Sequence, residues 1–501
     1  MSVGGVFKLI TNSGQADRYL VANELLMARI AEMGKDPIKM LRKQYPNKTT
    51  EELMKMDNTW KPTINIIDRT HTIFTMASFK PFVAFGLEYL KSEASGPNRN
   101  FGDKVTFTLP NFGQFVNDCV VHVQISAFSA VTPGDKIRWC EFPGHRLFKN
   151  VSFSTSNATL DEYGSDEYNA FYAFKLPVGK EAGYLKMVGQ EVPYVGYLTP
   201  DPSVDEFREY RVFGSGPQTY KQTQPQLDLW IPLLFWFREV NSSLPNFVIP
   251  FGQTNITIEM ESLSRMVSYA ANVGDGSYTT PTIEKLELYS NNIFFSAQVF
   301  DILQSKFTSQ LIRVHKKNEV KSVSQASGTE RLNKLVWPIE SLFIAFRPQS
   351  NLTNSQLWAH YAVCTQQSIP EAVVNSSNVI QVNDAIYYSE TSAVTTMSLV
   401  AQGIPIFNST PYQFYNAYLP YRYGPTWKTP AGLGWFYMNF CVDPTLYNPN
   451  GYLNVSRARE FYLNFESTYI STSNLVDMIV LADCMNFLLI SDGVPVLRYI
   501  T

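Results

Sequence analysis

The residues best suited to chemistry form an acidic tandem in the segment L-D-E-Y-G-S-D-E-Y. Four carboxylates lie close together there: Asp161, Glu162, Asp166 and Glu167. Paired carboxylates hydrolyse glycosidic bonds when they face each other across a cleft, and carboxylate oxygens also bind calcium. Neighbours on one turn do not face each other in this way. The sequence therefore predicts a solvated loop with no catalytic or metal-binding role.

The histidines offer little to a metal ion. No H-x-H, H-E-x-x-H or Cys/His cluster motif occurs, so a metal site on a β-sandwich would lack its usual ligands. His122 falls on the polar face of an alternating segment, and His315 shares a face with Leu311 and Arg313. Both are therefore predicted to be ordinary surface or boundary residues. The full set of histidines is His71, His122, His145, His315 and His360.

Other catalytic and ligand-binding signatures are missing from the sequence. Neither a G-x-S-x-G nucleophile motif nor a phosphate-binding G-x-x-x-x-G-K-[ST] loop occurs. The formal net charge is only -3, and Lys316, Lys317 and Lys321 alternate with acidic and apolar residues, so no basic stripe for nucleic acid forms. We predict no enzymatic activity, no catalytic, cofactor-binding or metal-binding residues, no cofactor and no direct nucleic-acid binding.

The cysteines and the N-terminus bear on where the protein is made. The five cysteines are odd in number and widely separated, without a C-x-x-C pair, which favours a reducing compartment. The first residues lack a basic start followed by a long apolar run, which predicts synthesis in the cytosol. The most apolar stretches, 229–237 and 476–490, are too short or too interrupted by acids to span a bilayer. Any membrane contact is expected to be peripheral.

Length and composition indicate the elements that must position these residues. At 501 residues the chain favours two or three domains. Its aromatic share of 14% is high and its charged share of 17% is low, which favours strands and a surface that lies against other subunits.

Residues 1–67 are predicted to form a partly helical arm. A helix over 17–33 ends at Gly34, and Asp36 caps a second turn that has Pro37 at its first position. Thr49 and Glu52 form a capping box that begins a third helix. Because these short helices carry broad apolar faces, they need a surface to pack on, either the chain's own body or another subunit.

From about residue 70 the apolar residues alternate, which predicts half-buried antiparallel strands. Val105, Phe107 and Leu109 should face a core, and the same pattern recurs over 121–127, 256–260 and 461–465. Turn residues separate the strands, and the pair at 492–493, Asp-Gly, predicts a two-residue hairpin turn. We therefore predict an all-β fold with two tandem sandwiches, over 68–288 and 289–501.

Several strings resemble one protein family along nearly the whole chain. They are W-C-E-F-P-G-H-R-L-F-K-N-V-S-F from 139, L-W-I-P-L-L-F-W-F from 229, G-Y-L-N-V-S-R-A-R-E-F-Y from 451 and the terminal N-F-L-L-I-S-D-G-V-P-V-L-R-Y. The chain resembles the major capsid proteins of nucleocytoplasmic large DNA viruses, most closely the African-swine-fever-like (asfarvirus-like) branch.

The resemblance implies a structural major capsid protein with a double jelly roll, two eight-stranded sandwiches side by side. Such chains form a homotrimer, a pseudo-hexagonal capsomer that tiles an icosahedral shell, with the N-terminal arm at the capsomer base. Implied partners are neighbouring capsomers, minor capsid and penton proteins, and peripherally the inner membrane layer. The implied location is the outer capsid shell of the virion, after synthesis and assembly in the host cytoplasm. The alternative, a glycan-binding or glycan-cleaving β-sandwich, explains only the strands and the acidic tandem.

The chain departs from this family in a few places. The stretch before Trp139 and the region 190–215 are shorter than in asfarvirus-like capsid proteins, which predicts a smaller outer crown. The turn at 154–158 lacks the family's glycine. Arg457 and Arg459 are predicted to share one face of a strand and so to need partners, either within the second sandwich or across the trimer interface.

Overall fold

The computed structural model describes residues 15–33, 42–43, 45–49, 52–53, 64–71, 83–96, 99–155, 158–191, 194–197, 209–212, 216–249, 254–270, 276–307, 309–374, 380–423, 428–456, 460–491 and 494–499. The chain divides into two compact units, Met1–Val83 and Ala84–Thr501. The predicted limits of the arm and the two sandwiches, at 67/68 and 288/289, remain a prediction.

The first unit contains helices α1 (Gln15–Met33) and α2 (Ile64–Thr70). The predicted helix over 17–33 is confirmed. The capping box is confirmed too: the backbone N–H of Thr49 donates to Glu52 Oε2 (3.0 Å), and that of Glu52 donates to Thr49 Oγ1 (3.4 Å). Leu25 and Leu53 are buried against each other in a small core of the unit itself. The predicted turn at 36–37 lies outside the described residues.

The first sandwich consists of eight main strands. They are β1 (Phe85–Glu93), β2 (Lys104–Thr108), β3 (Phe115–Ile125), β4 (Phe148–Thr155), β5 (Ala158–Gly164), β6 (Leu227–Pro232), β7 (Thr254–Met260) and β8 (Ile283–Phe295). One sheet has the order β1-β8-β3-β6 and the other has β2-β7-β4-β5, with antiparallel neighbours throughout.

The second sandwich repeats this arrangement. Its main strands are β9 (Ser309–Lys317), β10 (Ser327–Arg331), β11 (Pro338–Pro348), β12 (Thr396–Ala401), β13 (Ile404–Pro411), β14 (Trp435–Asn439), β15 (Phe461–Glu466) and β16 (Val476–Ser491). Its sheets have the orders β9-β16-β11-β14 and β10-β15-β12-β13. Each strand thus occupies the same place as the strand eight positions earlier, and both sandwiches are jelly rolls.

Alternation of apolar and polar residues produces these sheets. Val105 and Phe107 of β2 are buried while Thr106 and Thr108 are half-buried, and β7 and β15 alternate in the same way. Ala127, predicted to continue the buried face of β3, is exposed because β3 ends at Ile125. Ser491 pairs with Val494, as the predicted two-residue hairpin requires.

Shorter elements connect the main strands. A long hairpin pairs Val363–Val374 with Ile380–Thr391 along twelve residues of each strand. Other short strands are Phe128–Ser129, Lys136–Trp139, Tyr194–Tyr197, Glu209–Val212, Thr223–Gln224, Leu244–Pro245, Val267–Ala270, Lys321–Val323, Leu453–Asn454 and Val494–Leu497. The remaining α-helices are α3 (Pro143–Leu147), α4 (Ser165–Ala170), α5 (Glu181–Met187), α6 (Leu263–Met266), α7 (Ala297–Lys306), α8 (Gln349–Thr353) and α9 (Leu419–Tyr423), and π-helical turns span Phe171–Lys175 and Phe414–Tyr418.

Two general features complete the fold. All five cysteines are free thiols, and Cys364 is the one that is not buried. Within the described ranges, every helix is too short or too polar to cross a membrane.

Candidate functional site: the seam between the two sandwiches

The acidic tandem lies where the two sandwiches meet. We call this contact the seam; it is formed mainly by residues 141–169 of the first sandwich and 315–361 of the second. The Asp161 side chain is fully buried in it. Its Oδ1 accepts a hydrogen bond from the backbone N–H of His315 (2.8 Å), and its Oδ2 lies 3.1 Å from His315 Nδ1. Strand β5 therefore contacts β9 directly through a carboxylate and an imidazole.

The prediction of a solvated acidic loop is largely wrong. Glu162 is exposed as predicted, but Asp161 and Glu167 are buried. Glu167 Oε2 accepts a hydrogen bond from the backbone N–H of Gly164 (2.8 Å) and so caps helix α4. The tandem is buried because it ends strand β5 and begins α4 against a second sandwich, whose position local spacing does not reveal.

His315 is half-buried, which agrees with its prediction as a boundary residue. Burial on its own would lower the pKa of His315, but the carboxylate of Asp161 raises it more, and the net pKa lies above the ordinary value. Nearby, Lys175 of the first sandwich pairs with Asp483 of the second (2.5 Å). These two pairs hold the two sandwiches together at one end of the seam.

A buried ion pair crosses the seam at Asp166. Arg347 Nη1 donates to Asp166 Oδ1 (2.9 Å), and the hydroxyl of Tyr361 donates to the same oxygen (2.7 Å). The guanidinium also lies over the Tyr361 ring, 5.0 Å from its centroid. Burial lowers the pKa of Arg347, but Asp166, Tyr361 and Asp477 together raise it more, and the net pKa lies above the ordinary value. Only 6% of the Arg347 side chain is exposed, so this charge depends on its partner.

A chain of hydrogen bonds extends from this ion pair into the first sandwich. Asn169 Nδ2 donates to the hydroxyl of Tyr361 (2.8 Å), and Asn169 Oδ1 lies 2.8 Å from His145 Nδ1. His145 Nε2 lies 2.7 Å from the hydroxyl of Tyr184. Because Asn169 presents its carbonyl oxygen, His145 carries its proton on Nδ1 and accepts from Tyr184 at Nε2. Burial lowers the pKa of His145 to about 4, partly offset by the bond to Asn169.

The segment that begins at Trp139 provides the rest of the first-sandwich side. Trp358 Nε1 donates to the carbonyl oxygen of Glu141 (2.5 Å), and the backbone N–H of Glu141 donates to the carbonyl oxygen of Ser355 (3.1 Å). Arg146 Nη2 donates to the carbonyl oxygen of Leu352 (3.1 Å), and its guanidinium lies over the Trp358 ring. The string W-C-E-F-P-G-H-R is thus a contact surface for the second sandwich.

The seam is built for attachment. Asp161 and Asp166 each contact a side chain of the second sandwich, and Glu162 Oε1 accepts a hydrogen bond from Asn150 Nδ2 (2.7 Å). Glycoside hydrolysis needs two carboxylates that face a substrate across a cleft, whereas these carboxylates bond to protein groups. The geometry therefore fixes two β-sandwiches as one body.

One side-chain cluster was missed by the sequence interpretation that no Cys/His cluster exists. His360, Cys364 and Glu390 place one potential ligand atom each within 4.8 Å of one another. His360 and Cys364 are four residues apart in the chain, but Glu390 joins them only because it pairs with Cys364 across the long hairpin. Local motifs do not show this pairing of the two strands, so they could not predict the cluster.

His122 also differs from its prediction. It is buried, although it lies on the face of β3 that alternation assigns to solvent. Its ring stacks on Trp230 (4.2 Å between centroids), and its nitrogens contact Asp228 (2.6 Å) and Glu287 (3.3 Å). Arg457 and Arg459 lie outside the described residues.

The outer edge of the first sandwich carries exposed apolar side chains. Strand β1 pairs with β8 along one edge. Leu87 and Tyr89 share a face of β1 and are 57% and 60% exposed. The second sandwich exposes Tyr421 and Val442. Contiguous exposed apolar patches mark surfaces at which proteins associate, and the neighbouring side chains on β1 are the candidates for such a patch.

Known proteins share this architecture. A family model described as "Major capsid protein N-terminus" matches residues 72–296, and one described as "Large eukaryotic DNA virus major capsid protein" matches residues 301–496. The hexon protein p72 of African swine fever virus (isolate Tick/Malawi/Lil 20-1/1983) is 27% identical to this chain over an alignment of 661 residues that covers 100% of both. The alignment is longer than the 501-residue chain, so p72 carries segments that this chain lacks.

Solved structures agree. The Faustovirus major capsid protein superposes with a TM-score of 0.78 at 27% identity, over 96% of this chain and 100% of that one. A quasi-atomic model of the PBCV-1 virus capsid superposes with a TM-score of 0.63 at 16% identity, over 86% and 100%, and so shares the fold.

The repeated strand order and these similarities define a double jelly-roll viral capsid protein. The chain belongs to the family of major capsid proteins of large eukaryotic DNA viruses. Proteins of this family self-assemble into the shell of the virion, and that is the function of this chain.

Proposed function

We propose that three copies of this chain form a homotrimeric capsomer with a pseudo-hexagonal outline, which tiles an icosahedral shell. The observation that carries the proposal is the repeated jelly roll held by a buried seam. Because both sandwiches have the same strand order, three chains contribute six similar blocks around one axis. The buried Arg347–Asp166 pair makes each chain a rigid two-block unit.

The flanks of these blocks are suited to a second copy of the chain. Leu87 and Tyr89 on β1 present apolar surface, and only 17% of all residues are charged. Interfaces between permanently associated subunits are poor in charge and rich in aromatic residues. Full burial of an exposed leucine side chain contributes about 2 kcal/mol, but Leu87 is 57% exposed in the single chain, so covering the rest of it contributes about 1 kcal/mol. A closed trimer repeats each interface three times, so Leu87 contributes about 3 kcal/mol per trimer.

Light scattering of purified protein at micromolar concentration tests this arrangement. We expect the wild-type chain to have about three chain masses and Leu87→Glu to dissociate to folded monomer, because each interface would bury an unpaired carboxylate. The matched control is Val131→Glu, which adds the same charge at an exposed valine in a connecting loop and should remain trimeric. A wild-type monomer would refute the trimer, and a trimeric Leu87→Glu would remove β1 from the interface.

The arm at residues 1–67 is proposed to lie at the capsomer base, where it contacts minor capsid or penton proteins and the layer beneath. Tyr19 and Met27 of α1 are exposed although the helix also contributes Leu25 to a small core. Contact with the inner membrane layer would be peripheral. We expect an arm-deleted chain to form folded trimers that do not build closed shells; normal shells from that chain would contradict this role.

The remaining parts of the proposal concern chemistry and location. We propose no enzymatic role and no direct nucleic-acid binding, with synthesis and assembly in the host cytoplasm. The alternative of a glycan-binding or glycan-cleaving protein loses its main support, since Asp161 and Asp166 bond to groups of the second sandwich. Stabilisation of the protein by oligosaccharides in a thermal shift assay would favour that alternative.

A further inference from the structure

The base of the long hairpin brings together three side chains of different chemistry. Cys364 and Glu390 are directly opposite each other on the two strands, and His360 lies just before the first strand. His360 Nδ1 and Glu390 Oε1 are 2.8 Å apart, and all three potential ligand atoms lie within 4.8 Å of one another. His360 lies at the margin of the seam, next to Tyr361, whereas Cys364 and Glu390 lie beyond it in the hairpin. None of the three side chains takes part in the ion pairs of the seam or in the proposed trimer contacts.

We propose that His360, Cys364 and Glu390 bind one Zn²⁺ ion, with water as the fourth ligand. An imidazole nitrogen, a thiolate and a carboxylate are the donor types that zinc prefers, whereas magnesium and calcium select oxygen ligands alone. In a tetrahedral zinc site the donor atoms are separated by about 3.4 Å, as follows from bond lengths of about 2.0–2.3 Å. His360 Nδ1 and Glu390 Oε1 are 2.8 Å apart and no pair of ligand atoms is more than 4.8 Å apart, so side-chain adjustments alone would complete the site.

The surroundings already orient two of the three ligands. The second carboxylate oxygen of Glu390 accepts a hydrogen bond from the backbone N–H of Leu433 (3.1 Å). Asn351 Nδ2 donates to the carbonyl oxygen of His360 (3.0 Å) and lies 3.9 Å from Cys364 Sγ. Such outer contacts reduce the freedom that ligands lose when a metal binds.

An ion can reach this cluster from solvent. The side chain of His360 is 40% exposed and that of Glu390 is 22% exposed. Burial and the neighbouring carboxylate raise the pKa of the Cys364 thiol to about 11, so zinc binding must release one proton from Cys364.

The ion would anchor the hairpin to the second sandwich. A two-stranded hairpin is marginally stable in water on its own, and this one pairs twelve residues of each strand. Coordination of one ion by Cys364, Glu390 and His360 would connect the base of both strands to the segment that follows α8. The occupied site would therefore fix the direction in which the hairpin leaves the sandwich.

The test uses the full-length protein, freed of metal with a chelator and kept reduced. Isothermal titration with Zn²⁺ at pH 7.5 should give one site per chain, and Co²⁺ should give the absorption of a tetrahedral thiolate complex. Cys364→Ser should weaken Zn²⁺ binding by at least about 100-fold and abolish the thiolate absorption. Cys441→Ser is the matched control, because Cys441 is another thiol with a raised pKa in the same sandwich but is not part of the cluster.

Two further measurements keep the outcome decisive. His360→Gln should weaken binding to a similar extent, and the metal-free variants should melt at the wild-type temperature, which excludes misfolding as the cause. Zn²⁺ should also slow proteolysis within the hairpin in the wild-type chain only. Absence of Zn²⁺ binding, or binding that survives Cys364→Ser with an unchanged Co²⁺ spectrum, would overturn the proposal and leave a hydrogen-bonded polar cluster.

Discussion

The buried imidazole of His145 makes the stability of the capsid protein depend on pH. Its pKa is lowered to about 4 by burial between the rings of Phe142 and Tyr168, whereas an unfolded chain has a histidine pKa of about 6.5. Between these values the unfolded state binds a proton that the folded state does not. Stability is therefore full above about pH 6.5 and falls as the pH decreases toward 4.

The magnitude follows from the two pKa values. A difference of about 2.5 pKa units corresponds to roughly 3.4 kcal/mol of unfolding free energy, which is lost once the pH has fallen below both pKa values. At pH 5 about 2 kcal/mol of this free energy has been lost. His145→Gln removes this titration. We expect the variant to be less stable than wild type at pH 7.5, but its loss of stability between pH 7.5 and 5 should be about 2 kcal/mol smaller.

Urea unfolding at a series of pH values, followed by tryptophan fluorescence, measures this difference. Contributions of all other titrating groups cancel when variant and wild type are compared at the same pH. The control is Val151→Ala, a fully buried position without a charge, which should lower stability by about 2–3 kcal/mol and leave the pH dependence unchanged. If His145→Gln has the same pH dependence as wild type, His145 titrates normally and the hydrogen-bond chain across the seam does not exist as described.

Three other predictions concern the seam and its surroundings. Asp166→Asn leaves the buried charge of Arg347 uncompensated and should cost about 3–5 kcal/mol of unfolding free energy, measured by urea unfolding; a loss below 1 kcal/mol would mean that the pair is solvated. Gly434→Ala should prevent soluble expression, because its Cβ would overlap the backbone carbonyl of Tyr361, and a soluble variant of normal melting temperature would contradict the close packing. The raised pKa of His315 adds stability that is complete below about pH 6.5 and disappears as the pH rises through the folded-state pKa, so His315→Gln should cost more at pH 6 than at pH 9 in the same assay; an equal cost at both values would exclude its ion pair.

Local sequence patterns predicted individual elements well. The capping box at Thr49 and Glu52 is present, and Val105 and Phe107 face the core as their alternation predicts. These features depend on residues within one turn or one strand. Local patterns do not show which strands pair, since β1 and β8 join residues about 200 positions apart. The two-sandwich fold was therefore predicted from the series of alternating segments together with the family resemblance.

The site could not be predicted because it depends on contacts between distant segments. His122 was assigned to the solvent face, but Trp230 and two carboxylates from neighbouring strands cover it. The spacing of the acidic tandem predicted a solvated loop, because it does not show that Arg347 and His315 of the second sandwich pair with Asp166 and Asp161. Alternation of apolar and polar residues shows which face of a strand is apolar. It does not show which residues of a distant segment a polar side chain contacts.

The most direct test of the trimeric capsomer is electron microscopy of the purified full-length protein. If three chains with two jelly rolls each form the capsomer, averaged images viewed down the axis should show a six-lobed outline with threefold symmetry. Single two-lobed particles, or rings with another number of lobes, would contradict the trimeric capsomer even though the fold of each chain stood.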